Sequence, residues 1–316
     1  MLEKYLLSVC IPTYNRAPFL KQCLESIAPQ IIKAGLKNIV EIVIADNAST
    51  DETEKIVAEY ITAYPGLINY FKNETNLGFD RSFVRLMEQS QSTYCLCLGD
   101  DDALFEDSLT YVVNSLEKHT DVGLAWVNNW GYDRNLHNPV LLQPNLPPAP
   151  DKRYNELSEY IYSYREYENL VGFFVGLSNQ LIRRKDWVAF VGKEKYMGTQ
   201  AIHMYINLQV FKNSPFLLIT RPIVRTRASN IRWGVFSGLE TIHGRIRSTM
   251  EIATWIRNTY SLPIAITKLR FRIMCNAYWA TFKENIKILF NRYGLNFLVT
   301  WYRNLRKGTL KNRHEI

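Results

Sequence analysis

Residues Tyr94–Asp102 read YCLCLGDDD, five uncharged residues followed by a glycine and three consecutive carboxylates. A short apolar run closed by a turn residue is the pattern of a strand buried on both faces. Polar side chains gathered where such a strand stops point to an open, mainly parallel α/β sheet, in which ligands lie beyond the carboxyl ends of the strands. The chain on either side repeats the pattern. Upstream, Leu6–Ile11 (LLSVCI) stops at Pro12 and continues as Thr13-Tyr14-Asn15-Arg16, and Phe19, Leu20, Cys23, Leu24, Ile27 and Ile31 then recur at helical spacing. Val40–Ala45 (VEIVIA) is a second strand, closed by Asp46-Asn47-Ala48-Ser49-Thr50-Asp51, where Thr50 with Thr53 or Asp51 with Glu54 can cap a helix running to Tyr60. Ile68–Phe71 is a short third strand, and Asn76-Leu77-Gly78 opens a helix over Phe79–Gln89.

Downstream the reading is mixed. Val122–Asn128 is a strand, whereas Pro139, Pro144, Pro147, Pro148 and Pro150 exclude regular structure from Asn138–Pro150. Leu177–Ile182 is a strand entering a helix at Arg183–Trp187, Ala201–Phe211 is helical, and Phe216–Ile219 with Ile223–Thr226 are the last strands. Beyond Gly238 the chain reads as helices; Leu295, Leu298, Val299, Tyr302 and Leu305 share one face. The expected organisation is a unit over 1–237, with halves 1–120 and 121–237, and a basic, aromatic helical region over 238–316.

Composition narrows the class. A chain of 316 residues with 47% hydrophobic and 22% charged residues buries a full core without staples, and disorder, collagen and cysteine-stapled scaffolds are excluded. Its net charge of +8 is unevenly spread. Residues 1–120 hold 10 Lys+Arg against 17 Asp+Glu, residues 121–220 hold 10 against 9, and residues 221–316 hold 18 against 4. A basic surplus confined to the last third argues against a nucleic-acid partner and for a separate task of the tail. The five cysteines form no CxxC pair, which fits a reducing compartment. The start of the chain, acidic at Glu3, does not read as a signal peptide. Asn169–Ile182, 14 residues with four polar amides and hydroxyls, falls short of the ~18–20 apolar residues that span a bilayer.

Three adjacent carboxylates repel unless a cation sits among them, and hard oxygen ligands on a loop suit Mg²⁺ or Mn²⁺ with water and diphosphate oxygens completing the shell; an acidic helix N-terminus is the simpler alternative. In PTYNR a proline stops the strand, Tyr14 is available to stack on a base and Arg16 to meet a phosphate. Asp46 can accept a hydrogen bond from a base N–H. Each of these also reads as a turn or cap. Their placement at successive strand ends is what argues for a site.

The runs LLSVCIPTYNR, EIVIADNASTDET, NLGFDRSF and CLCLGDDD, in this order, resemble the nucleotide-diphospho-sugar glycosyltransferases of family 2, in the bacterial branch similar to abequosyltransferases and O-antigen or capsule enzymes. The resemblance covers residues 5–230 and is strongest over the first 110. It implies the GT-A fold, α/β with a single mainly parallel central sheet, and an inverting, metal-dependent transfer from a nucleoside-diphosphate sugar to a glycan acceptor. By it, Pro12, Thr13, Tyr14, Arg16 and Asp46 belong to the base and ribose site, and Asn76, Gly78 and Arg81 flank the nucleotide and diphosphate. The usual Asp-x-Asp-Asp motif reads Gly99-Asp100-Asp101-Asp102 here, which makes Asp101 the metal ligand, sets Asp100 toward the ribose and sets Asp102 near the donor sugar.

Family members usually carry a Glu-Asp pair as the base, and Tyr196–His203 (YMGTQAIH) has none. His203 has a suitable pKa range and Glu194 is a second candidate; His203 reads equally as a packed helix-face histidine. Arg227, Arg232 and Trp233 are either a loop that closes on the diphosphate or a solvated basic face. The tail suits an anionic membrane surface, or else it is a helical cap on the catalytic unit or on a second copy in a homo-oligomer. The resulting expectation is a cytoplasmic enzyme, peripheral at the inner face of the cell membrane, using a polyprenyl-diphosphate-linked oligosaccharide acceptor. Its rival is a non-catalytic nucleotide-sugar or glycan-binding protein on the same fold. A nucleotidyltransferase would show a Gly-rich basic loop where PTYNR stands.

Overall fold

In the computed structural model the described residues are 3–140, 144–147, 149–163, 176–227 and 258. All but Asn258 belong to a first compact unit, Met1–Asn230. The expected boundary at 237/238, the helical tail with its amphipathic face, and Arg232 and Trp233 lie outside the described residues.

The elements in chain order are β1 (Tyr5–Thr13), α1 (Ala17–Lys33), β2 (Val40–Asp46), α2 (Thr53–Ala63), β3 (Ile68–Lys72), α3 (Phe79–Gln89), β4 (Ser92–Cys97), β5 (Ala103–Leu104), α4 (Ser108–Lys118), β6 (Leu124–Tyr132), β7 (Lys152–Tyr154), α5 (Leu157–Ser163), β8 (Gln180–Arg183), α6 (Arg184–Ala189), α7 (Ile202–Val210) and β9 (Phe216–Arg227). They form one sheet in the order β3-β2-β1-β4-β8-β6-β9-β5, with β7 also on β9. Its first half is parallel, β1 pairing with β2 and β4, and β2 with β3. The mainly parallel expectation holds there and again between β6 and β9, which pair in parallel, but antiparallel strands are set among them. β8 wedges between β4 and β6 antiparallel to both, and β5 and β7 run antiparallel to β9, so the sheet as a whole is mixed.

Two prolines explain where the sequence reading and the strands differ. β1 does not stop at Pro12, because alternate residues face the same neighbour and Pro12, two beyond Cys10, faces the β4 side. That side has already ended, with Leu98 N–H donating to Cys10 O (2.9 Å), so the missing N–H of Pro12 costs no ladder bond. Pairing with β2 continues through Thr13↔Asp46. The two strands read over 216–226 are one strand, β9, interrupted by bulges: Val127 pairs with Ile219, Asn128 with Pro222 and Asn129 with Val224.

The core lies on both faces of the parallel half. Leu7, Val9, Ile11, Ile42, Ile44 and Leu96 are fully buried together with Leu20, Cys23, Leu24, Ile27 and Ile31 of α1. Burying an aliphatic side chain of this size stabilises by about 1.5–3 kcal/mol. Such a core fixes the register of β1, β2 and β4. Because the three are parallel, their carboxyl ends open on the same edge of the sheet, and the polar turns after them meet there.

Candidate active site

The β1 and β4 turns are bonded to each other. Thr13 Oγ1 donates to Asp100 Oδ2 (2.8 Å) and Arg16 Nη1 to Asp100 Oδ1 (2.9 Å); the same Nη1 lies 3.2 Å from Asp101 Oδ2. Asp100, 4% exposed, is thus held between Thr13 and Arg16. Burial pushes its carboxyl up to about 6, with Arg16 opposing and Asp101 adding to the rise. Asp102 accepts from Ser178 Oγ and from the Arg227 backbone N–H (3.0 Å). Burial, reinforced by neighbouring Asp101, pushes it up to about 7. For Arg16, burial works downward but Asp100 and Asp101 outweigh it and hold the guanidinium above its ordinary value.

Gly99 is a spatial requirement. Its φ is not positive, but a Cβ there would lie 3.0 Å from Asp101 Oδ1 and 3.3 Å from both Asp102 Oδ2 and Ser178 Oγ. Ser178 also accepts the Gly99 N–H (2.9 Å). Where the usual motif has its first carboxylate, Gly99 leaves room for Ser178, from a 3₁₀ turn 79 residues downstream.

Arg227 ends β9 and is 8% exposed, with Nε donating to Asp101 O (2.8 Å), Nη2 to Gln22 Oε1 (2.7 Å) and the guanidinium over the Phe19 ring. From the end of this strand it braces the carboxylate loop.

The β2 turn is interlocked with β1. Asn15 N–H donates to Ser49 Oγ (2.9 Å) and Thr50 N–H to Asn15 Oδ1 (2.8 Å). Asp51 Oδ2 accepts the Ala17 N–H (3.0 Å) and Oδ1 the Thr53 N–H (3.1 Å), so one carboxylate caps both α1 and α2. Asp46 is fully buried, Oδ1 accepting from Ser49 N–H (2.7 Å) and Oδ2 from Tyr70 Oη (2.8 Å). Tyr14 is 43% exposed at the same edge. Asn47 orders the third turn: its amide donates to Asn76 Oδ1 (2.8 Å) and its oxygen accepts the Leu77 N–H (2.9 Å), while Gly78 N–H donates to Asn76 Oδ1 (2.9 Å). Gly78 takes φ 77°, which a β-carbon would disfavour, and launches α3, on which Arg81 is exposed.

α3 also reaches the other half. Asp80, 4% exposed, accepts from Gln200 N–H (2.9 Å) and Ile202 N–H (3.3 Å), capping α7 from another helix. Sequence reasoning missed this bond, together with Ser178, Gln22 and Tyr70. None of them carries a local signal except Asp80, which sits inside NLGFD. Of the two base candidates, Glu194 is exposed in a 3₁₀ turn, Lys193–Tyr196. His203 is 2% exposed, edge-on to Phe79 (6.0 Å) and Phe83 (5.8 Å), as a packed helix-face histidine would be.

The donor set was tested for a divalent cation. Among the described residues no three His, Cys, Asp or Glu side chains converge as a protein-only cage. All three carboxylates have partners, Asp101 through Arg16, but the Asp101 side chain is the more open, 15% exposed against 6% for Asp100. That arrangement fits an ion taking one carboxylate and completing its shell with water and diphosphate oxygens, as Mg²⁺ and Mn²⁺ do.

Comparison with known proteins identifies the family and the fold. The abequosyltransferase RfbV of Salmonella typhimurium is 36% identical over 234 residues, 71% of this chain and 67% of that protein. Chondroitin synthase of Escherichia coli is 26% identical over 129 residues, 41% of this chain but 18% of that protein. Among solved structures, S. aureus TarS 1-349 superposes with a TM-score of 0.57 at 17% identity, covering 87% of this chain and 72% of that one. The mannosyltransferase PcManGT from Pyrobaculum calidifontis, solved with GDP-Man and Mn²⁺, has a TM-score of 0.53 at 14% identity, covering 96% and 81%. The profile described as Glycosyl transferase family 2 matches residues 8–185, and the chain belongs to that family and is a glycosyltransferase.

Proposed function

We propose that the protein moves a sugar, with inversion at the anomeric carbon, from a nucleoside-diphosphate donor to a growing surface glycan carried on polyprenyl diphosphate. The observation that carries this reading is the bonded meeting of PTYNR and GDDD through Thr13, Arg16, Asp100 and Asp101 at the strand ends. Tyr14 offers an exposed ring to the base, and Asn76, Gly78 and Arg81 line the approach of the diphosphate. A divalent cation on Asp101, Mn²⁺ or Mg²⁺, supplies positive charge to the leaving diphosphate. Ser178 and Arg227 hold the loop so that Asp101 does not reorganise as charge develops.

In the transfer, the acceptor hydroxyl oxygen forms the new bond to the anomeric carbon, the bond to the diphosphate oxygen breaks, and the hydroxyl proton goes to a base. Exposure favours Glu194 over the packed His203 as the group that can meet an acceptor. Membrane association rests on the charge of residues 221–316, and no described helix is long and apolar enough to cross a membrane.

The test is a panel of UDP-, CDP-, GDP- and dTDP-sugars assayed for transfer with Mn²⁺. Asp101→Ala is expected to abolish metal-dependent transfer while melting near wild type. Full activity of that variant in chelator would remove the metal assignment.

A further inference from the structure

The guanidinium of Arg16 sits where two carboxylates converge, Nη1 being 2.9 Å from Asp100 Oδ1 and 3.2 Å from Asp101 Oδ2. The three side chains are only 16%, 6% and 15% exposed, so water screens these pairs far less than it screens a surface ion pair. Asp100 is held from its other oxygen by Thr13 and so does not depend on Arg16 alone for its orientation. Arg227, the other guanidinium at the loop, is directed at the Asp101 carbonyl and at Gln22. Arg16 is the guanidinium that lies against the Asp101 side-chain oxygen.

We propose that Arg16 is a built-in counter-cation of the carboxylate loop, which in the metal-free protein holds Asp101 Oδ2 and competes with a divalent cation for it. When the ion takes Asp101, Arg16 keeps its bond to Asp100, still fixed by Thr13, and its freed N–H turns to the incoming diphosphate. The loop is therefore folded before the metal arrives, and metal affinity is set below what an unpaired Asp101 would provide. This inference rests on Asp101 as the metal carboxylate.

The experiment is a Mn²⁺ titration followed by electron paramagnetic resonance on the full chain stripped with EDTA, with thermal melts in EDTA and in Mn²⁺. Arg16→Met is expected to bind Mn²⁺ roughly tenfold more tightly than wild type, because both the competing cation and its repulsion are gone. It is also expected to melt lower in EDTA and to gain more from Mn²⁺ than wild type does. Arg16→Lys keeps a cation of shorter reach and is expected to fall between the two. A folded Arg16→Met that binds Mn²⁺ no more tightly than wild type overturns the proposal, since a purely architectural Arg16 would on removal loosen the loop and weaken the ion. If Arg16→Met folds only with Mn²⁺, substitution of one cation for the other is supported; if it folds under neither condition, Arg16→Lys decides by the same criterion. Absence of Mn²⁺ binding in all three proteins, with UDP and GDP added as well as without, overturns the Asp101 reading too, whereas equal tight binding overturns the role of Arg16 alone.

Discussion

Gly99→Ala tests how tightly the carboxylate loop is positioned. The new Cβ would lie 3.0 Å from Asp101 Oδ1 and 3.3 Å from Asp102 Oδ2 and Ser178 Oγ. Against a non-bonded optimum of about 3.5 Å, the first contact is short by roughly half an ångström. Ser178 has little room to retreat, since its hydroxyl donates to Asp102 and accepts from the Gly99 N–H. The displacement therefore falls on Asp101. Overpacking of this kind costs about 1–3 kcal/mol, and the melting temperature is expected to drop by a few degrees without loss of the fold. Catalysis is more sensitive, because misplacing a positioning group by up to an ångström costs as much as about 10²-fold in rate. Release of nucleoside diphosphate at saturating donor and acceptor is expected to fall at least roughly tenfold, with Mn²⁺ affinity falling alongside. A Gly99→Ala protein with wild-type kcat and wild-type Mn²⁺ affinity refutes the steric account. It would mean that the loop has slack the contacts do not reveal.

Other perturbations separate the remaining roles. Asp102, pushed up to about 7, holds a proton in the native state at pH values where an unfolded carboxyl has lost it, so its contribution to stability falls as pH rises from about 4 through about 7. Asp102→Asn in EDTA should melt above wild type at pH 8, with the gap narrowing toward pH 4; a gap that does not change with pH counts against the buried-carboxylate account. His203→Ala should cost about 2–4 kcal/mol through the cavity left between Phe79 and Phe83, with kcat of the folded enzyme within a few-fold of wild type. An unchanged melt with a hundredfold slower transfer would instead make His203 the base. Deleting the chain after Tyr293 should weaken binding to anionic vesicles of phosphatidylglycerol, and undiminished binding removes the membrane role of the tail.

Much of the architecture was legible along the chain. β1, β2 and β4 are largely buried, so each appears as a mainly apolar run, broken only by polar residues such as Ser8 and Glu41, and helix α1 shows its core face at regular spacing. The turns after these strands were readable for the same reason, since polar residues massed at the end of a buried strand have few purposes other than turn, cap or site. Strands β5 and β7, of two and three residues, are too short to leave a period, and the antiparallel insertion of β8 between β4 and β6 leaves no local trace.

By itself the sequence determined the parallel half of the sheet, the family and the residue types gathered at the strand ends. Only the tertiary structure decided what those residues do to one another. Asp100 turns inward because Thr13 and Arg16, 84 or more residues away, donate to it. Position 99 favours glycine because Asp101, Asp102 and Ser178 crowd the place of a β-carbon, Arg227 braces the carboxylate loop from a strand, and His203 is enclosed by α3. The division has a physical cause. Periodicity and turn chemistry act within a few residues and are printed in order along the chain, whereas the charge balance and free volume of a site depend on groups that meet only after the sheet has closed.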